Sequence, residues 1–206
     1  MVGTDSMAIE IRLSREEWLF AAMKGCERQI DGAEKKRHPS YGSPEKRTND
    51  GWFWNINGAA GELVVANWLG VPWDAAFGNL GASDVADLLE VRTTPGHDFP
   101  LRLHEPDPND RLFILVTGVG PVWRIQGYLL GRRGKRTEWF HDKPPPVGKP
   151  TGRPAYWVEQ KHLQTDFDKL RERFTLWLAR NDLPARDGPR REPDQEANCR
   201  AGRESG

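Results

Sequence analysis

The run Leu112-Phe113-Ile114-Leu115-Val116 constrains the fold of this chain more than any other stretch. Five large apolar residues follow one another without a polar interruption. Successive side chains of a strand point to opposite faces. A strand built from this run therefore needs apolar cover on both sides. The run predicts a central strand over 111–117 in a sheet packed on each face.

The surroundings supply that cover. Ser14 and Glu17 stand at capping-box spacing and predict a helix start. Trp18, Ala22, Cys26 and Ile30 follow as an apolar stripe over 14–30. A second helix is expected over 55–69, capped by Asn55 or Asn57 and ended by Gly70 and Pro72. Gly58 and Gly61 lower its helix propensity but permit close packing against a sheet. Leu163, Phe167, Leu170, Phe174 and Leu178 mark a third helix over 163–180. Strands are expected at the end of 1–13, over 88–93, 101–104 and 122–130, and at an edge over 154–158. Residues 31–50 and 73–83 read as loop and link. The order is helix, helix, strands, a basic insertion, then helix. It predicts an α/β domain with a mixed sheet flanked by helices over 1–180. The 181–206 tail, almost without large apolar side chains, is expected to be disordered.

Composition narrows the function classes. The 206 residues carry 30 basic and 30 acidic side chains, so no global charge argues for nucleic acid. No run approaches the roughly 20 apolar residues of a membrane helix, and no signal peptide is visible, which predicts a cytoplasmic protein. Cys26 and Cys199 have no partners at metal-ligand spacing, and the five histidines form no ligand pattern. Gly118-Val119-Gly120 leads into a proline and a strand rather than a helix, which argues against a nucleotide cofactor.

The chemistry concentrates in Asp84-Val85-Ala86-Asp87-Leu88-Leu89-Glu90-Val91-Arg92. Three carboxylates interrupt an apolar, strand-like run, where an unpaired charge is costly. A metal ion would supply the missing positive charge. Glu90 and Arg92 are two apart and share a face of the expected strand. In one straight strand Asp84 and Glu90 would stand roughly 20 Å apart. They can share an ion only if the chain reverses over 85–88. Asp87 is a rival ligand, although its odd spacing from Glu90 turns it to the other face. The plainer alternatives are a salt-bridged Glu90–Arg92 pair on a solvated face, a turn role for Asp84 and Asp87, and a solvent-facing Glu62.

Gly61-Glu62-Leu63-Val64-Val65-Ala66, Ser83-Asp84-Val85 and Leu89-Glu90-Val91-Arg92-Thr93-Thr94, with the strands at 110–128, resemble the PD-(D/E)XK nuclease superfamily. The likeness covers roughly 55–130. It implies a restriction-endonuclease-like fold, with a mixed central sheet and flanking helices. It implies that Asp84 and Glu90, with Glu62 and the Val91 carbonyl, hold Mg²⁺ or Mn²⁺. It also implies hydrolysis of DNA phosphodiester bonds. Arg92 stands where the family has lysine. Arginine effectively cannot lose its proton, so Arg92 is expected to grip a phosphate rather than act as a base. The same departure supports the alternative of a catalytically inactive nucleic-acid-binding or assembly protein on this fold.

The basic run Arg132, Arg133, Lys135 and Arg136 is the local candidate for contacting a DNA backbone. Residues 131–153 hold seven Lys or Arg against two acids. A solvated charged loop is the competing reading. Trp52-Phe53-Trp54 is expected to pack in the core or to form contacts in a homo-oligomer.

Overall fold

The computed structural model describes residues 8–35, 44–73, 84–85, 88–144 and 153–180. The 181–206 tail, most of the 73–83 link, residues 36–43 of the expected loop and the rival ligand Asp87 lie outside the described residues.

The elements are β1 (Ile9–Arg12), α1 (Arg15–Glu34), α2 (Pro44–Leu69), β2 (Leu89–Thr94), β3 (Leu101–Leu103), β4 (Leu112–Thr117) and β5 (Val122–Leu130). They continue with α3 (Gly131–Gly134), β6 (Phe140–His141), β7 (Ala155–Val158) and α4 (Phe167–Arg180). A four-stranded sheet has the order β1-β5-β4-β2. In it β2 runs parallel to β4, and the other pairs are antiparallel. A three-stranded antiparallel sheet has the order β3-β7-β6. The expected β3 therefore exists but leaves the main sheet.

The unbroken apolar run of β4 has the double cover it demands. Ile114 and Val116 join β2, β5 and the helices in one buried cluster that includes Val64, Leu170 and Phe174. Phe113 and Leu115 join Leu101, Leu103 and Val158 of the small sheet in a second cluster. The alternation is the two-residue period of a strand. One face of the main sheet is thus packed by helices and the other by a second sheet. The structure shows a mixed α/β arrangement with two small sheets.

The capping box at Ser14 and Glu17 forms as expected. The buried line of α1 does not follow the expected stripe. Ala21 and Gly25 are buried, while Trp18 and Ile30 are 37% and 49% exposed. Small residues face α2 because the helices cross closely. A Cβ on Gly25 would lie 2.4 Å from the Ile56 Cα. Helix α2 starts at Pro44, eleven residues before the expected start, so Asn55 and Asn57 are interior rather than caps. Asn55 instead donates to Gln29 Oε1 of α1 at 2.7 Å. The α1–α2 pairing extends the helix beyond what local propensity suggests. Trp52, Phe53 and Trp54 are 42%, 43% and 50% exposed, so they are not core residues.

Gly61 brings α2 against β2, with the glycine role expected for that position. A Cβ there would lie 2.0 Å from Thr93 Oγ1. The next residue, Glu62, consequently sits beside β2, the edge strand that carries Glu90 and Arg92. Leu170, Phe174 and Leu178 anchor α4 to the same helical face. Arg171 donates to the Trp68 carbonyl at 2.9 Å, near the C-terminal end of α2. No described helix is long and apolar enough to cross a membrane.

Candidate active site

The chain reverses where the spacing of the acids requires it. Val85 N donates to the Leu89 carbonyl at 3.2 Å, and Leu89 N donates back to the Val85 carbonyl at 3.1 Å. This antiparallel bridge folds Asp84 alongside β2. Its Oδ2 accepts the Val91 N–H at 2.7 Å. Asp84 thus has a turn contact, and the same contact delivers its carboxylate to the Glu90–Arg92 face.

Glu90 is 9% exposed and Glu62 is 7% exposed, so neither is the solvent-facing residue of the plainer reading. The Glu62 carboxylate is held by both Nη atoms of Arg28 at 2.5 Å, and by Trp73 Nε1 at 3.2 Å. Arg111 Nη1 lies 2.6 Å from Glu90 Oε1. Arg92 Nη1 stands 3.5 Å from Glu90 Oε2 and 4.0 Å from Asp84 Oδ2, so one guanidinium nitrogen faces both acids. Its other nitrogen, Nη2, lies 3.1 Å from Asp107 Oδ2.

The electrostatics follow from this crowding. Burial pushes the Asp84 carboxyl up to about 7, and the negative charges of Glu62 and Glu90 push in the same direction. The Val91 N–H and Arg92 offset only part of that rise. Burial and neighbouring like charges both disfavour the ionised form of a carboxyl. Burial pulls the Arg92 pKa down, but Asp107, Asp84 and Glu90 more than offset it and leave it above its ordinary value. Arg92 is therefore a fixed cation, not a base.

Carboxylate and carbonyl oxygens are the ligands that a hard divalent cation takes. Of the expected donors, only Glu90 and the Val91 carbonyl share a strand, and that carbonyl faces Arg92 Nη1 at 3.5 Å. Among the described residues, no three His, Cys, Asp or Glu side chains stand at metal-binding spacing. Glu62 is turned to Arg28, and Glu90 to Arg111 and Arg92. An incoming cation would have to compete with these guanidinium groups.

The basic run lies at the same end of the sheet. Leu112 pairs with both Leu89 and Leu130, so the starts of β2 and β4 adjoin the end of β5. Gly131 N donates to Arg111 O, and Arg132 N to Asn109 O, both at 2.9 Å. Arg132 and Arg133 are exposed. Arg136 stacks 5.0 Å from the Trp139 ring centroid and lies 3.6 Å from Glu138. Lys135 is committed elsewhere: its Nζ donates to the Glu105 carbonyl at 2.7 Å and also to that of Asp107.

Arg28, Asp107 and Arg111 do not stand out in the sequence. Two of them carry a usable signal. Asp107 and Arg111 both precede the central strand, and parallel pairing places its start beside Glu90. Arg28 carries none, since only the helix crossing brings it to Glu62. Comparison with protein-family models, curated proteins and solved structures returned no match.

Proposed function

We propose that this protein is a metal-dependent nuclease of the PD-(D/E)XK type that acts on DNA phosphodiester bonds in the cytoplasm. The fold-back that seats Asp84 Oδ2 on the Val91 N–H, beside the Arg92 nitrogen that also faces Glu90, supports this reading most strongly. Burial first, and then the charges of Glu62 and Glu90, raise the Asp84 pKa to about 7. Such perturbation is typical of sites that bind cations or move protons.

Asp84 and Glu90 would be the principal ligands for Mg²⁺ or Mn²⁺, with the Val91 carbonyl beside them and Glu62 joining once released from Arg28. Such an ion would supply Lewis acidity toward the phosphodiester and activate a water. The Val91 N–H orients the Asp84 carboxylate through its Oδ2. Arg92, permanently charged, stabilises negative charge on the phosphate. Arg28 neutralises and aims Glu62. Arg132 and Arg133, exposed at the same end of the sheet, contact the DNA backbone.

The Arg28 and Arg111 ion pairs favour a second reading: a catalytically silent, nucleic-acid-binding protein on the same fold. Divalent-ion calorimetry with a plasmid and oligonucleotide cleavage screen separates the two. Cleavage in Mg²⁺ or Mn²⁺, with saturable ion binding, is expected of the nuclease. DNA binding with neither ion binding nor cleavage would replace it with the second reading.

A further inference from the structure

Among the described residues, the closest acidic partner of Arg92 is not one of the expected site residues. Arg92 Nη2 lies 3.1 Å from Asp107 Oδ2, against 3.5 Å to Glu90 and 4.0 Å to Asp84 from Nη1. The guanidinium also lies 4.9 Å from the Phe113 ring centroid. One nitrogen is tied outside the pair of acids, the plane rests on an aromatic ring, and the other nitrogen faces Asp84 and Glu90.

Asp107 is itself firmly placed. It lies in the loop between β3 and β4, with its side chain only 14% exposed. The oxygen that meets Arg92 also accepts the His104 N–H at 2.8 Å. Asp107 N donates to the His104 carbonyl at 3.1 Å, closing the turn from the other side. Lys135 binds the Glu105 and Asp107 carbonyls and ties the loop to the end of α3. The loop thus connects the Arg92 guanidinium to the segment that follows β5.

From this geometry we infer that Asp107 is a positioning residue, an anchor that holds Arg92 in the orientation needed to meet the scissile phosphate. The inference rests on the nuclease reading. Arginine has a long stem whose freedom must be restrained before its fork can act in one geometry. A guanidinium without the Asp107 anchor would settle on Asp84 and Glu90, the carboxylates assigned to the ion. The anchor holds Nη2 on a separate carboxylate, so that only Nη1 faces those two.

Asp107→Asn tests this, because the amide oxygen can still accept the His104 N–H while the charge that holds Arg92 is gone. DNA cleavage in Mg²⁺ should show kcat lowered about 10- to 100-fold, the usual range for losing a residue that orients a site. KM for DNA should stay level or fall, because a negative charge has been removed beside a phosphate-binding surface. Far-UV circular dichroism establishes that the variant is folded. Asp107→Ser, which keeps a hydroxyl near the same N–H, serves if the Asn variant does not fold. An unchanged kcat in a folded variant overturns the anchor, as does a higher KM at unchanged kcat. A wild type that cleaves normally beside an equally active Asp107→Asn defeats the anchor alone. A wild type that neither cleaves DNA nor binds divalent ions defeats the nuclease reading and the anchor with it.

Discussion

The two ends of strand β4 both hold polar groups in an apolar setting, and they handle them in opposite ways. At its far end Thr117 is fully buried. Its hydroxyl oxygen lies 2.8 Å from Gln126 Nε2 and 3.0 Å from His97 Nδ1. Gln160 then ties the turn by donating to the His97 and Phe99 carbonyls. These amide, hydroxyl and backbone groups answer one another locally. At the near end, Glu62, Asp84, Glu90 and Asp107 meet Arg28, Arg92 and Arg111, and the Asp84 carboxyl is still pushed up to about 7. A hydrogen-bonded network satisfies a core. At the near end, carboxylates are answered by guanidinium groups instead, and burial is the first cause that holds Asp84 up.

The largest effect should come from removing one charge at the near end. Glu90→Gln should abolish Mg²⁺-dependent cleavage while keeping the fold, because the amide preserves shape but not the charge that holds an ion. Plasmid nicking beside circular dichroism measures both. Retained cleavage would erase the contrast between the two ends.

Arg28→Ala should come next, and in stability rather than chemistry. It leaves the buried Glu62 carboxylate without its bidentate partner, which costs about 3–5 kcal/mol for a buried ion pair. Urea unfolding reads this directly. A loss below about 1 kcal/mol would mean that Glu62 relaxes to solvent or to another partner.

Thr117→Val should sharpen the comparison from the other side. Loss of the hydroxyl strands the Gln126 amide and should cost about 1–3 kcal/mol. Divalent-ion affinity should be unaltered. A change in ion binding would mean that the two ends of β4 are coupled.

A separate effect is expected in the pH dependence of stability. The folded pKa of Asp84 stands at about 7, above the 3.8 of a free aspartate. A folded state that holds its proton more tightly is favoured at low pH. This contribution is complete below the free value and is lost as pH rises through about 7. In EDTA, the melting temperature of the wild type should carry a downward component across that window, and Asp84→Asn should remove it. Identical pH profiles would show that Asp84 is not the group under strain.

The smallest effect belongs to the exposed arginines. Arg132→Gln with Arg133→Gln should reduce the salt slope of DNA binding by up to about 1.8, or about 0.9 for each phosphate that is no longer neutralised. A slope equal to wild type would leave them as ordinary surface.

Much of this arrangement is visible in the chain before any folding is considered. The apolar run at 112–116 demands cover on both faces, and the Ser14–Glu17 spacing sets a helix start. The 85–88 reversal is required if Asp84 and Glu90 are to meet, and its closing Val85–Leu89 bridge is present. These are local properties, because side-chain period, capping and turn length act over a few residues. Period assigns Glu90 and Arg92 to one face, but it does not say which charges meet them there. Arg111 reaches Glu90 across parallel strands, Arg28 reaches Glu62 across a helix crossing, and Asp107 reaches Arg92 from the loop leading out of the second sheet. The burial of Gly25 in place of the Trp18–Ile30 stripe has the same origin. Local sequence determined which residues could share a face. Tertiary packing alone decided which partners they met, because ion pairing depends on distance in space and not on separation along the chain.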